Sequence, residues 1–254
     1  MIKIEHTLLK SERLNYILKQ VNVHNKVLSS DLCESLSVSE DTIRRDLMEL
    51  ADGGQILKVH GGALSKKFYG DDNEENVYAH AEKVIIAQKT VQLLKEGMFV
   101  LIGGGTTMKE ILKLVPKDLA ITFITVSLSA ATELLNHPSC GIIFVGGQIS
   151  RNTRFSVGGE TIARLAEIKA DLCILGTNSI DFETGITDSD FESVQVKKAM
   201  MKAADKVAIV TIAEKLSTTQ RLRICEIKDL DYLITELEPD NTLLNDYRPS
   251  VTIL

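Results

Sequence analysis

A chain of 254 residues and 28.0 kDa, 44% hydrophobic and 25% charged, can bury a proper core and has room for a small domain beside one of about 180 residues. No apolar run approaches the ~18 residues of a membrane span, and the opening MIKIEHTLLKSER lacks the apolar core of a secretion signal; a soluble cytoplasmic protein without membrane contact is expected. The net charge of -6 excludes a uniformly basic nucleic-acid binder but is uneven, since residues 1–70 carry 10 Lys and Arg against 9 Asp and Glu and the remainder 19 against 26.

In chain order, Ser11 is expected to cap a first helix in which Leu14, Ile17, Leu18 and Val21 form one apolar stripe. Ser30 to Leu36 reads as a second, short helix with Leu32 and Leu36 inward, joined by Ser37-Val38-Ser39 to a third. The third spans about residues 40–52: Ile43, Leu47 and Leu50 recur at helical spacing, Ser39 with Glu40 and Asp41 supplies an N-terminus, and Gly53-Gly54 a stop. That spacing turns Asp41, Thr42, Arg44 and Arg45 away from the core. Gln55 to His60 is short and holds the β-formers Ile56 and Val59, and Gly61-Gly62 ends it, so a small hairpin or wing follows.

A short helix, a tight turn, a helix with paired arginines and a wing make the winged helix-turn-helix arrangement, whose second helix enters the DNA major groove. Arginine suits that position because its planar fork bonds guanine edges or phosphates at two points. A local patch of Arg13, Lys26, Arg44, Arg45, Lys58, Lys66 and Lys67 would carry the contact, with the acidic body held away from the phosphates. One such module binds weakly, so a homo-oligomer, dimer or tetramer, is expected. On spacing alone, an ordinary helical pair with a solvated Arg-Arg-Asp face fits equally well.

Lys66 to Asn76, KKFYGDDNEEN from residue 66, is polar and aperiodic and reads as a linker. A helix over about 77–96 follows, punctuated by Gly97. Apolar strands then alternate with helices: Phe99 to Ile102, a helix from Thr107, Ile121 to Val126, a helix from Leu128, and Ile142 to Val145. The series continues through a helix near Thr161, Leu172 to Leu175, a helix from Asp190 to Ala204, Val207 to Ile212, and Tyr232 to Thr235. This alternation predicts an α/β domain with a mainly parallel sheet covered on both faces. Four distant cysteines, Cys33, Cys140, Cys173 and Cys225, each among apolar neighbours, read as buried free thiols; no metal or cofactor is implied.

Ligands of such sheets bind at the carboxyl ends of the strands. The first strand runs into Gly103-Gly104-Gly105-Thr106-Thr107, where bare N–H groups, two hydroxyls and a helix N-terminus meet as a phosphate requires; a structural tight turn explains the same residues. The second delivers Ser127, which can cap the next helix or touch a ligand. Lys215, after the strand from Val207, would neutralise a phosphate, although a lone lysine is as readily just solvated.

Residues 37–63, SVSEDTIRRDLMELADGGQILKVHGGA, resemble the N-terminal signature of the DeoR family of bacterial repressors. The segments GGGTT, TVSLSAA, FVGGQ, LGTNSIDFETGITD, FESVQVKKAMM and AEKLS are similar to that family's sensor domain, which shares its fold with ribose-phosphate and glucosamine-phosphate isomerases. The resemblance implies a DNA-binding domain over 1–65, a linker over 66–76 and a sugar-phosphate-sensing domain over 77–254. It implies a repressor that releases a double-stranded operator, or occasionally gains affinity, when a phosphorylated sugar or related metabolite binds. DNA contacts fall on Ser39, Asp41, Thr42, Arg44, Arg45, Lys58 and His60. Effector contacts fall on Gly103, Gly104, Gly105, Thr106, Thr107 and Lys215, with Ser127, Asp181, Gly185 and Glu192 near the sugar end or a subunit contact.

Where the family usually has Asp-Ser before Gly-Thr-Thr this chain has Gly103-Gly104, and where it usually has Asn before Ser this chain has Val126, so the groups that would grip sugar hydroxyls are replaced. Two alternatives stand beside the repressor. A sugar-phosphate isomerase with a DNA-binding head would need Glu192 or Asp181 as its base. A DNA-bridging protein would bind no metabolite.

Overall fold

The computed structural model describes residues 8–66 and 77–254. Apart from Lys66, the expected linker lies outside them, as does Lys67 of the basic patch. The chain divides into two compact units, the first ending at Tyr78 and the second running Ala79–Leu254.

In the first unit, helix α1 (Lys10–His24) buries Ile17 and Val21 fully and Leu14 and Leu18 in part. Ser11 does not cap it. The helix starts two residues earlier, with Leu9 at the N-cap and the Glu12 carboxylate accepting the Leu9 N–H at 2.9 Å. Strand β1 (Lys26–Leu28) leads into α2 (Ser29–Leu36), and α3 (Glu40–Asp52) follows the turn at Ser37, whose φ is 53°. Strands β2 (Ile56–Val59) and β3 (Gly62–Ser65) form the wing, and β3 also pairs with β1, in the antiparallel order β1-β3-β2. Gly62 permits that last pairing: a β-carbon there would lie 2.0 Å from the Val27 carbonyl oxygen.

Arg13 was expected in the basic patch, and the structure removes it. Its guanidinium forks onto Asp46 of α3, Nε to Oδ2 at 2.5 Å and Nη2 to Oδ1 at 3.0 Å, with side-chain exposures of 13% and 3%. An arginine beside a buried carboxylate is held as a structural ion pair that fastens α1 to α3.

In the second unit, α4 (His80–Val91) is shorter than the expected 77–96, because turn bonds from Leu93 N–H to Thr90 and from Leu94 N–H to Val91 replace helical ones. The strand-helix alternation then follows as β4 (Phe99–Ile102), α5 (Thr106–Leu114), β5 (Thr122–Thr125), α6 (Leu128–Leu134) and β6 (Gly141–Phe144). A short hairpin of β7 (Gln148–Ile149) and β8 (Ser156–Val157) precedes α7 (Gly159–Leu165) and β9 (Ala170–Gly176). After β10 (Ser179–Asp181) and β11 (Gly185–Asp188) come α8 (Phe191–Lys202), β12 (Ala204–Val210), β13 (Leu222–Cys225), β14 (Tyr232–Ile234) and β15 (Thr252–Ile253).

Seven strands form one parallel sheet in the order β15-β14-β12-β9-β4-β5-β6. Its inner strands are buried, as continuous apolar runs require, but β6 is an edge strand with Ile143 and Phe144 partly bare. The small antiparallel sheet β10-β11-β13 and the β7-β8 hairpin were not foreseen. All four cysteines are free; Cys173 is buried, and Cys33, Cys140 and Cys225 are only half-buried rather than fully so.

From β4 the chain proceeds outward through β5 to β6, whereas from β9, on the other side of β4, it proceeds outward through β12 to β14. With right-handed crossovers this reversal sends α5 and α6 to one face and α8 to the other. The direction changes between β4 and β9, which makes their carboxyl ends the topological switch point, where ligands of such sheets bind.

Candidate functional site

On the first unit, the exposed face of α3 presents Asp41, Arg44 and Arg45 together. Spacings of three and four residues bring both guanidiniums onto one carboxylate. Arg44 Nε and Nη2 donate to Asp41 Oδ1 at 3.2 and 2.7 Å, and Arg45 Nε donates to Oδ2 at 3.0 Å, with Arg45 Nη2 on the same oxygen. Hydrogen bonds from Arg44 and then Arg45 hold the Asp41 carboxyl below its ordinary pKa.

Ser39 and Thr42 serve the helix start. Ser39 Oγ accepts the Thr42 N–H at 3.3 Å and lies 2.9 Å from Thr42 Oγ1. Lys58 and His60 are exposed on the wing, while Lys26 is half-buried. Six of the seven expected DNA contacts are exposed and Thr42 is half-buried; Ser39 and Thr42 also have a structural reason to be there.

On the second unit, β4 continues one bond past its end, Gly103 N–H donating to the Ile174 carbonyl of β9 at 2.9 Å. Gly105, at φ 105°, is the N-cap of α5 and offers no side chain to the first N–H groups of that helix. Those donors, with the half-buried Thr106 and Thr107, are disposed as an anion site requires. Gly104 is packed tightly. A β-carbon there would stand 2.4 Å from Ser127 Oγ and 2.7 Å from the Phe155 ring. Ser127, fully buried, caps α6 by accepting the Ala130 N–H at 3.3 Å. Val126 is likewise fully buried, and its side chain belongs to the core cluster of the sheet.

Lys215, in a short 3-10 turn after β12, reaches across the end of β9 and donates to the Thr177 carbonyl at 2.7 Å. The adjoining Gly176 lies against the Gly104 carbonyl: a β-carbon on it would be 3.9 Å away. Part of the lysine stem is exposed, but its amino group lies deep. Burial, then the positive charges of Lys83 and Lys197, lower its pKa to about 7, against a smaller opposing pull from Asp188.

Asp188, at the end of β11, accepts from Lys197 Nζ at 2.8 Å, Asn178 Nδ2 at 3.0 Å and Ser189 N at 2.7 Å. Sequence reasoning did not single out Asp188, Lys197 or Lys83. The last had a legible signal: Lys83 shares the buried face of α4 with Ile86, Ala87 and Thr90, where a lysine is out of place unless something needs its charge.

Three expected effector residues have other occupations. Asp181 Oδ1 accepts from Glu183 N at 3.1 Å and Thr184 N at 2.9 Å, closing the β10-β11 turn. Gly185 sits at φ 83° in that hairpin, where a β-carbon would meet the Cys225 carbonyl oxygen at 2.1 Å. Glu192 is exposed in the first turn of α8, and among the described residues no hydrogen bond or ion pair joins it to the Lys215 cluster.

A winged helix-turn-helix unit followed by an α/β unit with a glycine-rich topological switch point is the build of a DNA-binding transcriptional regulator with a sensor domain. Residues 13–68 match the DeoR-like helix-turn-helix domain, and residues 78–237 match the DeoR C terminal sensor domain. The chain belongs to the DeoR family of transcriptional regulators.

It is similar to the HTH-type transcriptional regulator GlpR of Haloferax volcanii, with 32% identity over 96% of this chain and 95% of that one. It also resembles the HTH-type transcriptional repressor GlcR of Bacillus subtilis (29%; 91% and 90%) and the glycerol-3-phosphate regulon repressor of Escherichia coli (27%; 91% and 92%). Among solved structures, ribose 5-phosphate isomerase A of Methanocaldococcus jannaschii overlaps 53% of each chain at a TM-score of 0.40 and 17% identity. No helix among the described residues is long and apolar enough to cross a membrane.

Proposed function

We propose that the protein represses a carbohydrate-related operon and releases its operator when a phosphorylated sugar or related metabolite enters the crevice between β4 and β9. Residues 1–65 read the DNA, chiefly through Arg44 and Arg45, and residues 77–254 read the metabolite. One observation carries the reading: an α5 N-terminus left uncapped by Gly105 and the amine of Lys215 converge on the same switch point. Thr106 and Thr107 add hydroxyls, and each charge-assisted bond to a phosphate oxygen contributes about 1.5 to 3 kcal/mol. The names of the relatives, a transcriptional repressor and a glycerol-3-phosphate regulon repressor, support the same reading.

The body binds without turnover. Asp181 is engaged in its hairpin turn and Glu192 is exposed, so neither is poised as the base that an isomerase needs. The protein works in the cytoplasm as a homo-oligomer, because two or more heads are needed to hold one operator firmly.

For regulation, the metabolite must prefer one arrangement of the DNA-reading heads. A ~100-fold change in operator affinity requires about 2.7 kcal/mol of such preference. The test is a thermal-shift screen of sugar phosphates on the full chain, followed by operator titrations with each hit and with Lys215→Ala and Thr106→Val as controls. A hit that stabilises all three proteins equally is bound elsewhere. One that binds here but leaves operator affinity unchanged refutes the coupling, and interconversion of aldose and ketose phosphates by the wild-type chain refutes the absence of turnover.

A further inference from the structure

We propose that Asp41 sets the specificity of DNA reading by occupying the forks of Arg44 and Arg45 in the free protein, so that firm binding requires a base edge that replaces those bonds in kind. The arrangement is symmetric: each arginine directs Nε and Nη2 to its own oxygen of the one carboxylate. All three side chains are more than half exposed, at 52% for Asp41, 57% for Arg44 and 71% for Arg45. Exposed pairs contribute little to stability, so holding the helix together does not account for the arrangement. What the carboxylate does control is where the two forks point and how much free positive charge the face offers.

The consequence differs between the two kinds of DNA contact. A phosphate attracts chiefly through charge and, although it too can accept an arginine fork at two oxygens, it has no group that donates to a carboxylate. To reach one, an arginine must leave Asp41, and the released carboxylate then faces the same phosphate with like charge. A guanine edge offers O6 and N7 as a bidentate acceptor that replaces the lost fork, and a cytosine N4 amino group can donate to the freed carboxylate. The complement of this Arg-Asp-Arg face is therefore a base-pair step that presents guanine acceptors beside a cytosine amino group. Asp41 penalises the first kind of contact and fits the second.

The inference rests on α3 being the helix that enters the groove. The probes are a duplex selected from a random library by the full wild-type chain and a scrambled duplex of equal length and composition. Each is titrated by fluorescence anisotropy at several salt concentrations. Asp41→Asn, which keeps size and removes charge, should bind the scrambled duplex about tenfold more tightly, with a salt dependence steeper by about one ion. The selected duplex should gain less, so the ratio between the two falls at least about threefold. Asp41→Glu, which restores the charge, should keep the wild-type ratio within about twofold. The proposal fails if Asp41→Asn shifts both duplexes equally, weakens both, or changes neither, and it fails if Asp41→Glu loses the ratio as Asp41→Asn does. If Arg44→Ala and Arg45→Ala both leave the two duplexes unaffected, the assignment of α3 to the groove fails instead.

Discussion

Gly104 offers a sharp check on the crevice. In Gly104→Ala the added methyl would sit 2.4 Å from Ser127 Oγ, 2.7 Å from Phe155 Cε1 and 2.9 Å from Ser127 Cβ. Neither neighbour can yield freely. Ser127 is fully buried, its hydroxyl holding the start of α6 and lying 3.0 Å from Ser129 Oγ, and Phe155 is packed into the core of the sheet. Forcing a methyl group into such a site costs about 1 to 3 kcal/mol. The adjacent Gly103→Ala is the control. Its nearest obstacle is a terminal methyl of Leu175 at 3.1 Å, so it should stay within about 1 kcal/mol of wild type, helped by a stiffer unfolded chain. For a unit of this size each kcal/mol moves the midpoint by about 2 to 4 °C. Thermal and urea unfolding followed by circular dichroism, with hydrogen exchange at the amides of Gly105 to Met108, reads both the global and the local effect. Equal stability of the two variants would show that Gly104 is not where the crevice wall closes against Ser127 and Phe155.

Further expectations follow from the buried charges. Asp46→Ala leaves the mostly buried Arg13 guanidinium without its carboxylate and should cost about 3 kcal/mol in urea unfolding of the first unit; a loss below about 1 kcal/mol would make the pair dispensable. Lys215 is lowered from 10.5 to about 7, and a bound phosphate favours its charged form, so binding takes up a proton. Affinity for a sugar phosphate should then fall by up to about tenfold per unit as pH rises above about 7, and calorimetry in buffers of different ionisation enthalpy should detect the proton; a flat profile to pH 9 contradicts it. Burial pushes Asp188 up, but the Lys197 charge and hydrogen bond, with those of Asn178 and Ser189, hold it below its ordinary 3.8. Its contribution to stability is therefore present above that value and lost as pH falls through the lower folded one, and Lys197→Met should flatten that acid limb of an unfolding profile.

The parts of this molecule that were legible in sequence are those whose signal is local. Helix α3 carries its own cap at Ser39, its own stripe in Ile43, Leu47 and Leu50, and its own stop, and it forms over Glu40–Asp52. The buried strands β4, β5 and β9 announce themselves as short apolar runs, β4 between Gly97 and Gly103 and β9 ending at Gly176. The parts that were missed are defined by partners far along the chain. Strand β1 has three residues and exists because Val27 finds Ala63, and β11 pairs with β13 across thirty-three residues of intervening chain. Arg13 looks like any surface arginine until Asp46, thirty-three residues on, is placed beside it. Asp188 and Lys197 are similarly blind to spacing, since one ends a strand and the other lies inside the next helix.

Charge shows why composition alone misleads in both units. Residues 1–70 are nearly neutral by count, and α3 partly neutralises its own arginines through Asp41. The remainder of the chain is acidic, 19 basic residues against 26 acidic, yet around Lys215 the balance reverses: two lysines lower its pKa and a single aspartate raises it. Burial, reinforced by this positive field, is costly in the free protein, because together they lower the pKa of the Lys215 amine from 10.5 to about 7. Such a field is worth maintaining only if something anionic relieves it. The relief is largest for a compact dianion that can reach the α5 N-terminus and the amine together, which is the shape and charge of a phosphate monoester. If that account holds, Lys215→Met should raise the thermal stability of the ligand-free protein at pH 6, where the wild-type amine is charged, and have less effect at pH 9, where it is already neutral. At the same time it should remove stabilisation by sugar phosphates at both. Thermal shift at the two pH values, with and without ligand, measures all four quantities, and a variant that is destabilised equally at pH 6 and 9 while still responding to ligand would refute the account.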